Sequence, residues 1–138
     1  RVEPNWGDDT LVIVACGAHM SGLPLNHQLV DLGAVLIRTT RSAPGYRFYA
    51  LEDFVPPRPG MVRTAENGQA IEVELWALPK SNFGSFMAGI PAPLGIGTVE
   101  LEDGSFEKGF ICEAYAAKGA RDISELGNWR AYLAEKAG

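Results

Sequence analysis

Apolar positions along the chain fall into short blocks separated by turn residues. Leu11-Val12-Ile13-Val14-Ala15-Cys16 is a continuous, β-branched run without alternation, the pattern of a strand covered on both faces. It stops at Gly17. Beyond the loop Gly17-Ala18-His19-Met20-Ser21-Gly22, Pro24 suits a first helical turn, where a missing N–H costs nothing. Leu25, Leu29 and Leu32 supply the apolar stripe of that helix, and Gly33 its stop. Residues 34–39 and 46–51 read as strands joined through Ser42-Ala43-Pro44-Gly45 into a hairpin-like unit. Pro56-Pro57-Arg58-Pro59-Gly60 reads as an extended loop.

Further along, residues 61–65 and 70–78 predict two strands joined by an Asn67-Gly68 hairpin turn. Ile71, Val73 and Leu75 fall on one face of the second strand, Glu72 and Glu74 on the other. A short helix follows Pro79 and packs Phe83, Phe86 and Met87, and the link Pro91-Ala92-Pro93-Leu94-Gly95 cannot be helical. Residues 97–102 and 105–113 predict a hairpin around Asp103-Gly104. A last helix starts near Asp122, with Glu125 completing a capping box, and buries Leu126, Trp129 and Leu133. This order lacks the regular alternation of a doubly wound sheet. It predicts an α+β fold: a small mixed sheet, curled or closed into a β-barrel, with flanking helices. Residues 1–10 form a polar amino-terminal tail and 11–138 one domain.

Composition narrows the class. The length of 138 residues suits a single domain. At 46% hydrophobic and 21% charged residues the chain is expected to fold rather than stay disordered. A net charge of -5 with no Lys/Arg run argues against a nucleic-acid partner, so an anion would be held only by a local site. There is no membrane-spanning run and no signal-peptide pattern, and the expected compartment is the cytoplasm. Since Arg1 rather than methionine opens the chain, some upstream sequence is expected. Cys16 and Cys112 lie in apolar stretches and read as buried, reduced thiols; a disulfide would need them adjacent in an oxidising compartment.

Candidate chemistry concentrates in the loop after the first strand. Ligands of sheet proteins bind outside the carboxyl ends of strands. Gly17 and Gly22 free the backbone to turn N–H groups toward an anion, and a following helix start would add partial positive charge. His19 is the one loop side chain able to exchange protons near neutral pH. Ser21 can donate a hydrogen bond or cap the helix. The plainer reading is a structural glycine turn with a hydrogen-bonded histidine. His27 lies eight positions after His19, which is no metal-ligand spacing, and no Cys/His cluster exists, so no metal is expected. Arg38, Arg41, Arg47 and Arg63 could offer a fork to a carboxylate, although most such arginines are solvated. Whether Glu72, Glu74 or Glu113 face a pocket stays open. No phosphate-loop, nucleophile-elbow or dinucleotide motif is present.

Several blocks agree, in order and spacing, with a known family. GAHMSGLPLNHQL (17–29), APGYRFYAL (43–51), IEVELWALP (71–79), FGSFMAGIPAPLGIGTVELEDG (83–104) and KGFICEAYA (108–116) together resemble the carboxy-terminal domain of allophanate hydrolase. The likeness runs from about residue 11 to 134. It implies a fold similar to the γ-glutamylcyclotransferases. In those enzymes a Tyr-Gly-Ser loop holds the substrate carboxylate, and Cys16-Gly17-Ala18 stands in its place here. Their catalytic glutamate would fall near Ile90, where this chain has no acid. For the allophanate hydrolase domain the resemblance implies a small anionic substrate, N-carboxycarbamate, that loses CO2 without a cofactor after an amidase domain has released ammonia. From position and chemistry, His19 is expected as general acid, with Gly17, Ala18, Met20 and Ser21 as substrate-binding residues and Arg47 at the outer carboxylate. An amidase domain or protein and a second copy of the chain are the expected partners. A non-catalytic pairing module and another small-molecule enzyme on the same scaffold remain the alternatives.

Overall fold

A computed structural model of the chain describes residues 9–138. The expected tail lies outside the described residues except for Asp9 and Thr10, and Thr10 already belongs to the first strand. That strand, β1 (Thr10–Ala15), sits at the centre of a five-stranded mixed sheet. It pairs antiparallel with β5 (Glu72–Pro79) on one side and parallel with β7 (Phe106–Cys112) on the other. Its unbroken apolar run suits this place, since a central strand has no solvent edge. β2 (Val35–Arg41) pairs with the far side of β5, and β6 (Leu94–Glu100) with the far side of β7. A second sheet has the order β4 (Arg58–Arg63), β3 (Tyr46–Leu51), β8 (Arg121–Asp122). The helices are α1 (His27–Val30), α2 (Phe83–Ala88) and α3 (Trp129–Ala137). One core cluster draws on both sheets, with Ile13, Val73, Leu78 and Val99 from the first and Phe48 and Met61 from the second.

The sheet is curled and not a closed barrel. Just past β2, the N–H of Ala43 donates to Glu100 O, and the N–H of Glu102 donates to Arg41 O, around a bridge between Ser42 and Leu101. The two outer strands therefore touch at one end only. The Asp103-Gly104 hairpin forms between β6 and β7, with Gly104 at φ 88°. Neither of the other expected hairpins pairs. Asn67 does take the left-handed turn conformation, at φ 58°. Yet β4 pairs with β3 while β5 pairs with β1 and β2. A turn residue fixes only the local reversal. Pairing follows burial, and between β1 and β2 the strand β5 buries every residue from Val73 to Leu78.

Other departures bear on the site. Pro59, expected in a loop, lies within β4, which tolerates it as an edge strand. The helix expected from Pro24 shrinks to the single turn of α1. Before it the chain folds back on the glycine loop: the N–H of Leu25 donates to Ala18 O, and Asn26 Nδ2 donates to His19 O. The last helix starts at Trp129, not Asp122, and Asn128 caps it by accepting from the Ala131 N–H. Asp122 belongs to β8 and accepts instead from the Ser124 N–H. Trp129 and Tyr132 are the residues α3 buries, with Leu126 and Leu133 only half-buried. Near α2, Phe86 is buried while Met87 is exposed. Among the described residues no helix is long and apolar enough to cross a membrane.

Candidate functional site

Gly17 leaves β1 pressed against β4. A Cβ at Gly17 would stand 2.2 Å from Pro59 Cδ, so a glycine is required there. This approach brings Arg58, the neighbour of Pro59, to the loop. Between them runs a narrow cleft, open at its mouth, lined by Cys16, Gly17, Ala18, His19, Arg58, Pro59, Leu94 and Phe110. No carboxylate is in that lining.

His19 forms the aromatic wall of the cleft and is buried, at 4% exposure. Its ring stacks on Phe110 at 4.7 Å between centroids and meets Phe86 edge-on at 5.4 Å. Nε2 lies 2.7 Å from Gln28 Oε1. A carbonyl oxygen only accepts, so the proton of the neutral ring sits on Nε2 and the lone pair on Nδ1. Burial drives the His19 pKa down to about 4 against the acceptor effect of Gln28, and the charges of Arg58 and His27 push the same way as burial. The imidazole is therefore neutral at pH 7.

Arg58 lines the same cleft as His19, and its charge helps to lower the His19 pKa. Its Nε and Nη1 are buried and have no hydrogen-bond partner. Its guanidinium carbon lies 5.3 Å from the centroid of the Phe54 ring, and burial lowers its pKa.

The expected loop residues separate into two groups. Gly17, Ala18 and His19 line the cleft. Met20 is a core side chain whose N–H donates to Gly17 O, and the N–H of Ser21 donates to Glu74 Oε1 at 2.7 Å. The amides of Met20 and Ser21 are thus committed, whereas those of Ala18 and His19 have no backbone acceptor among the described residues. With only four residues, α1 adds no helix-end charge of consequence. Arg47 lies on β3, hydrogen-bonded and ion-paired to Asp122 and donating to Asn67 O, away from the cleft lining. His27 is exposed, with Nδ1 against Pro24 O. Among the described residues no group of His, Cys, Asp and Glu could hold a metal. Cys16 and Cys112 are free thiols; burial, then Cys112, pushes Cys16 up to about 12, so it is no nucleophile at neutral pH.

Glu74 is the buried acid that alternation placed on a polar face. It accepts from the Ser21 N–H and from Trp76 Nε1, and from Arg130 Nη2 at 3.1 Å. Arg130 Nη2 also donates to Ser21 O. The pair grips Ser21 from behind the loop and stays out of the cleft lining. Glu72 is half-buried and Glu113 exposed; neither lines the cleft. The signal for Glu74 was Trp76, two residues on and on the same strand face. Arg58 had a weaker one, a lone cation set between prolines.

Residues 11–134 match the family described as the allophanate hydrolase C-terminal domain. The chain belongs to that family. The domain is 43% identical over 137 residues to urea amidolyase of Saccharomyces cerevisiae, which covers 96% of this chain and 8% of that protein. It thus spans a small fraction of that relative's length. Urea amidolyase of Kluyveromyces lactis superposes with a TM-score of 0.87 at 36% identity, over 93% of this chain and 8% of the other. A uropathogenic E. coli-specific protein superposes at 0.85 and 36% identity, over 91% of this chain and 96% of its own. A γ-glutamyl cyclotransferase shares the fold, with a TM-score of 0.54 at 12% identity over 82% of this chain and 69% of the other.

Proposed function

We propose that the domain decarboxylates N-carboxycarbamate in urea and allophanate degradation, working beside an amidase domain or protein that supplies this substrate. The observation that carries the reading is His19, buried in the lining of a cleft that also includes Gly17 and Ala18, where the N–H groups of Ala18 and His19 have no backbone acceptor among the described residues. The substrate places two carboxylates on one nitrogen. When the C–N bond breaks, CO2 leaves and the electron pair stays on nitrogen. A proton delivered to that nitrogen completes carbamate, and no cofactor is needed because the nitrogen itself accepts the electrons.

His19 is the proton donor. Nε2–H is held by Gln28, so the proton that moves is the one gained at Nδ1. Burial keeps the ring neutral, but a bound dianion places negative charge beside it and stabilises the imidazolium. The acid is thereby charged by its own substrate. After transfer the ring returns to its neutral form and takes a new proton from solvent. General acid catalysis of this kind contributes about 10² to 10⁴ in rate.

The test couples the chain to an amidase that makes N-carboxycarbamate in place and follows CO2. Release faster than spontaneous decomposition is expected. An unchanged rate would refute the activity and favour a binding or pairing module.

A further inference from the structure

We propose that Arg58 is the specificity-determining residue of the cleft, taking the second carboxylate of a small dicarboxylate and so selecting dianions over monocarboxylates. The inference rests on the reading of the cleft as a small-carboxylate site and adds the group that counts the charges. Three observations carry it.

First, Arg58 Nε and Nη1 are buried without an acceptor. Buried polar groups are nearly always hydrogen-bonded, and an uncompensated buried charge is among the costliest features a fold can keep. A guanidinium is an always-charged fork whose geometry matches a carboxylate. Second, Arg58 belongs to the cleft lining together with Gly17, Ala18 and His19. The loop amides suit one carboxylate, and the fork suits another. Third, the guanidinium is held from outside the cleft by the Phe54 ring, and Pro59 beside it is wedged against Gly17. The fork is therefore positioned before any ligand arrives. The other walls, Phe110, Leu94 and Cys16, present no charge, so among the described residues Arg58 is the one permanent cation in the lining.

The experiment compares malonate with propionate, which has the same three-carbon length and lacks the second carboxylate. Both are titrated calorimetrically at pH 7 into the wild-type chain, Arg58→Gln and Arg58→Met. The wild type should bind malonate at least about tenfold more tightly than propionate. Arg58→Gln should weaken malonate by about 10- to 100-fold, the range for a charge-assisted pair, and leave propionate within about threefold. Arg58→Met, which removes two buried donors without partners, should melt no lower than the wild type without ligand. That last result separates a recognition role from a structural one. Malonate affinity unchanged in Arg58→Gln, or a clearly lower melting temperature in Arg58→Met without ligand, overturns the proposal. Equal malonate and propionate affinities in the wild type overturn Arg58 alone. Failure of both ligands to bind the wild type overturns the carboxylate-site reading together with it.

Discussion

Protonating His19 should cost the fold much of its stability. In the folded chain burial holds the imidazole pKa near 4, whereas the exposed group titrates at 6.5. The unfolded state therefore binds the proton first. The stability this neutral ring preserves is complete above pH 6.5 and is lost as pH falls toward 4. At about 1.4 kcal/mol per pKa unit the full effect is about 3 kcal/mol, of which about 2 kcal/mol should disappear between pH 7 and pH 5. His19→Asn keeps a polar side chain of similar reach and cannot titrate. Urea unfolding at pH 7 and pH 5 gives the comparison: the wild type should lose about 2 kcal/mol more than the variant across that interval. The double difference cancels the packing lost at pH 7. Saturating malonate should narrow the gap, because a dianion beside the ring stabilises its charged form. Parallel losses in the two proteins would show that His19 is not held neutral, and the substrate-charged acid would fall with it.

Three further outcomes follow from named contacts. Gly17→Ala drives a methyl into Pro59 and should destabilise the chain by about 1 to 3 kcal/mol in thermal unfolding, with malonate binding weakened as well. Glu74→Ala leaves the Ser21 N–H, Trp76 Nε1 and the half-exposed Arg130 without their acceptor, and should cost about 2 kcal/mol by urea unfolding. Because no carboxylate lines the cleft, incubation with γ-glutamyl dipeptides should release no 5-oxoproline above the uncatalysed rate by chromatography; steady release would instead promote Glu74 to a catalytic role.

Local signals were legible where they also decided the tertiary outcome. The unbroken apolar run of β1 specifies a covered strand, and the Asp103-Gly104 turn closes β6 onto β7 because both strands lie in one sheet. Asn67 reversed the chain as its residue type predicts, but the strands it joins went to different sheets, a choice made by burial across the whole core. Pro24 favoured a helix start, while Asn26 spent its amide on His19 O and held the segment against the loop. The same division holds at the site. Gly17 and His19 were readable from the glycine loop after a strand. Glu74 was hidden because period-two alternation assumes one wet face, and in a curled sheet β5 is covered on both. Arg58 was hidden because its meaning lies in a neighbour 41 positions away, the close approach of Gly17 to Pro59. Arg47, the arginine expected at the outer carboxylate, lies instead on β3 with Asp122 as partner and outside the cleft lining, a placement that no local pattern shows.

The central claim is that His19 gives its proton to the substrate nitrogen as CO2 leaves. The most direct measurement is the catalysed CO2 release of wild type and His19→Asn, with N-carboxycarbamate supplied by an amidase and malonate affinity measured on the same samples. His27→Asn, an exposed neighbour, serves as the control. His19→Asn should lose about 10² to 10⁴ in catalysed rate while malonate affinity changes far less, since the proposed anion contacts are the loop amides and Arg58. A His19→Asn rate equal to that of a clearly active wild type would contradict it.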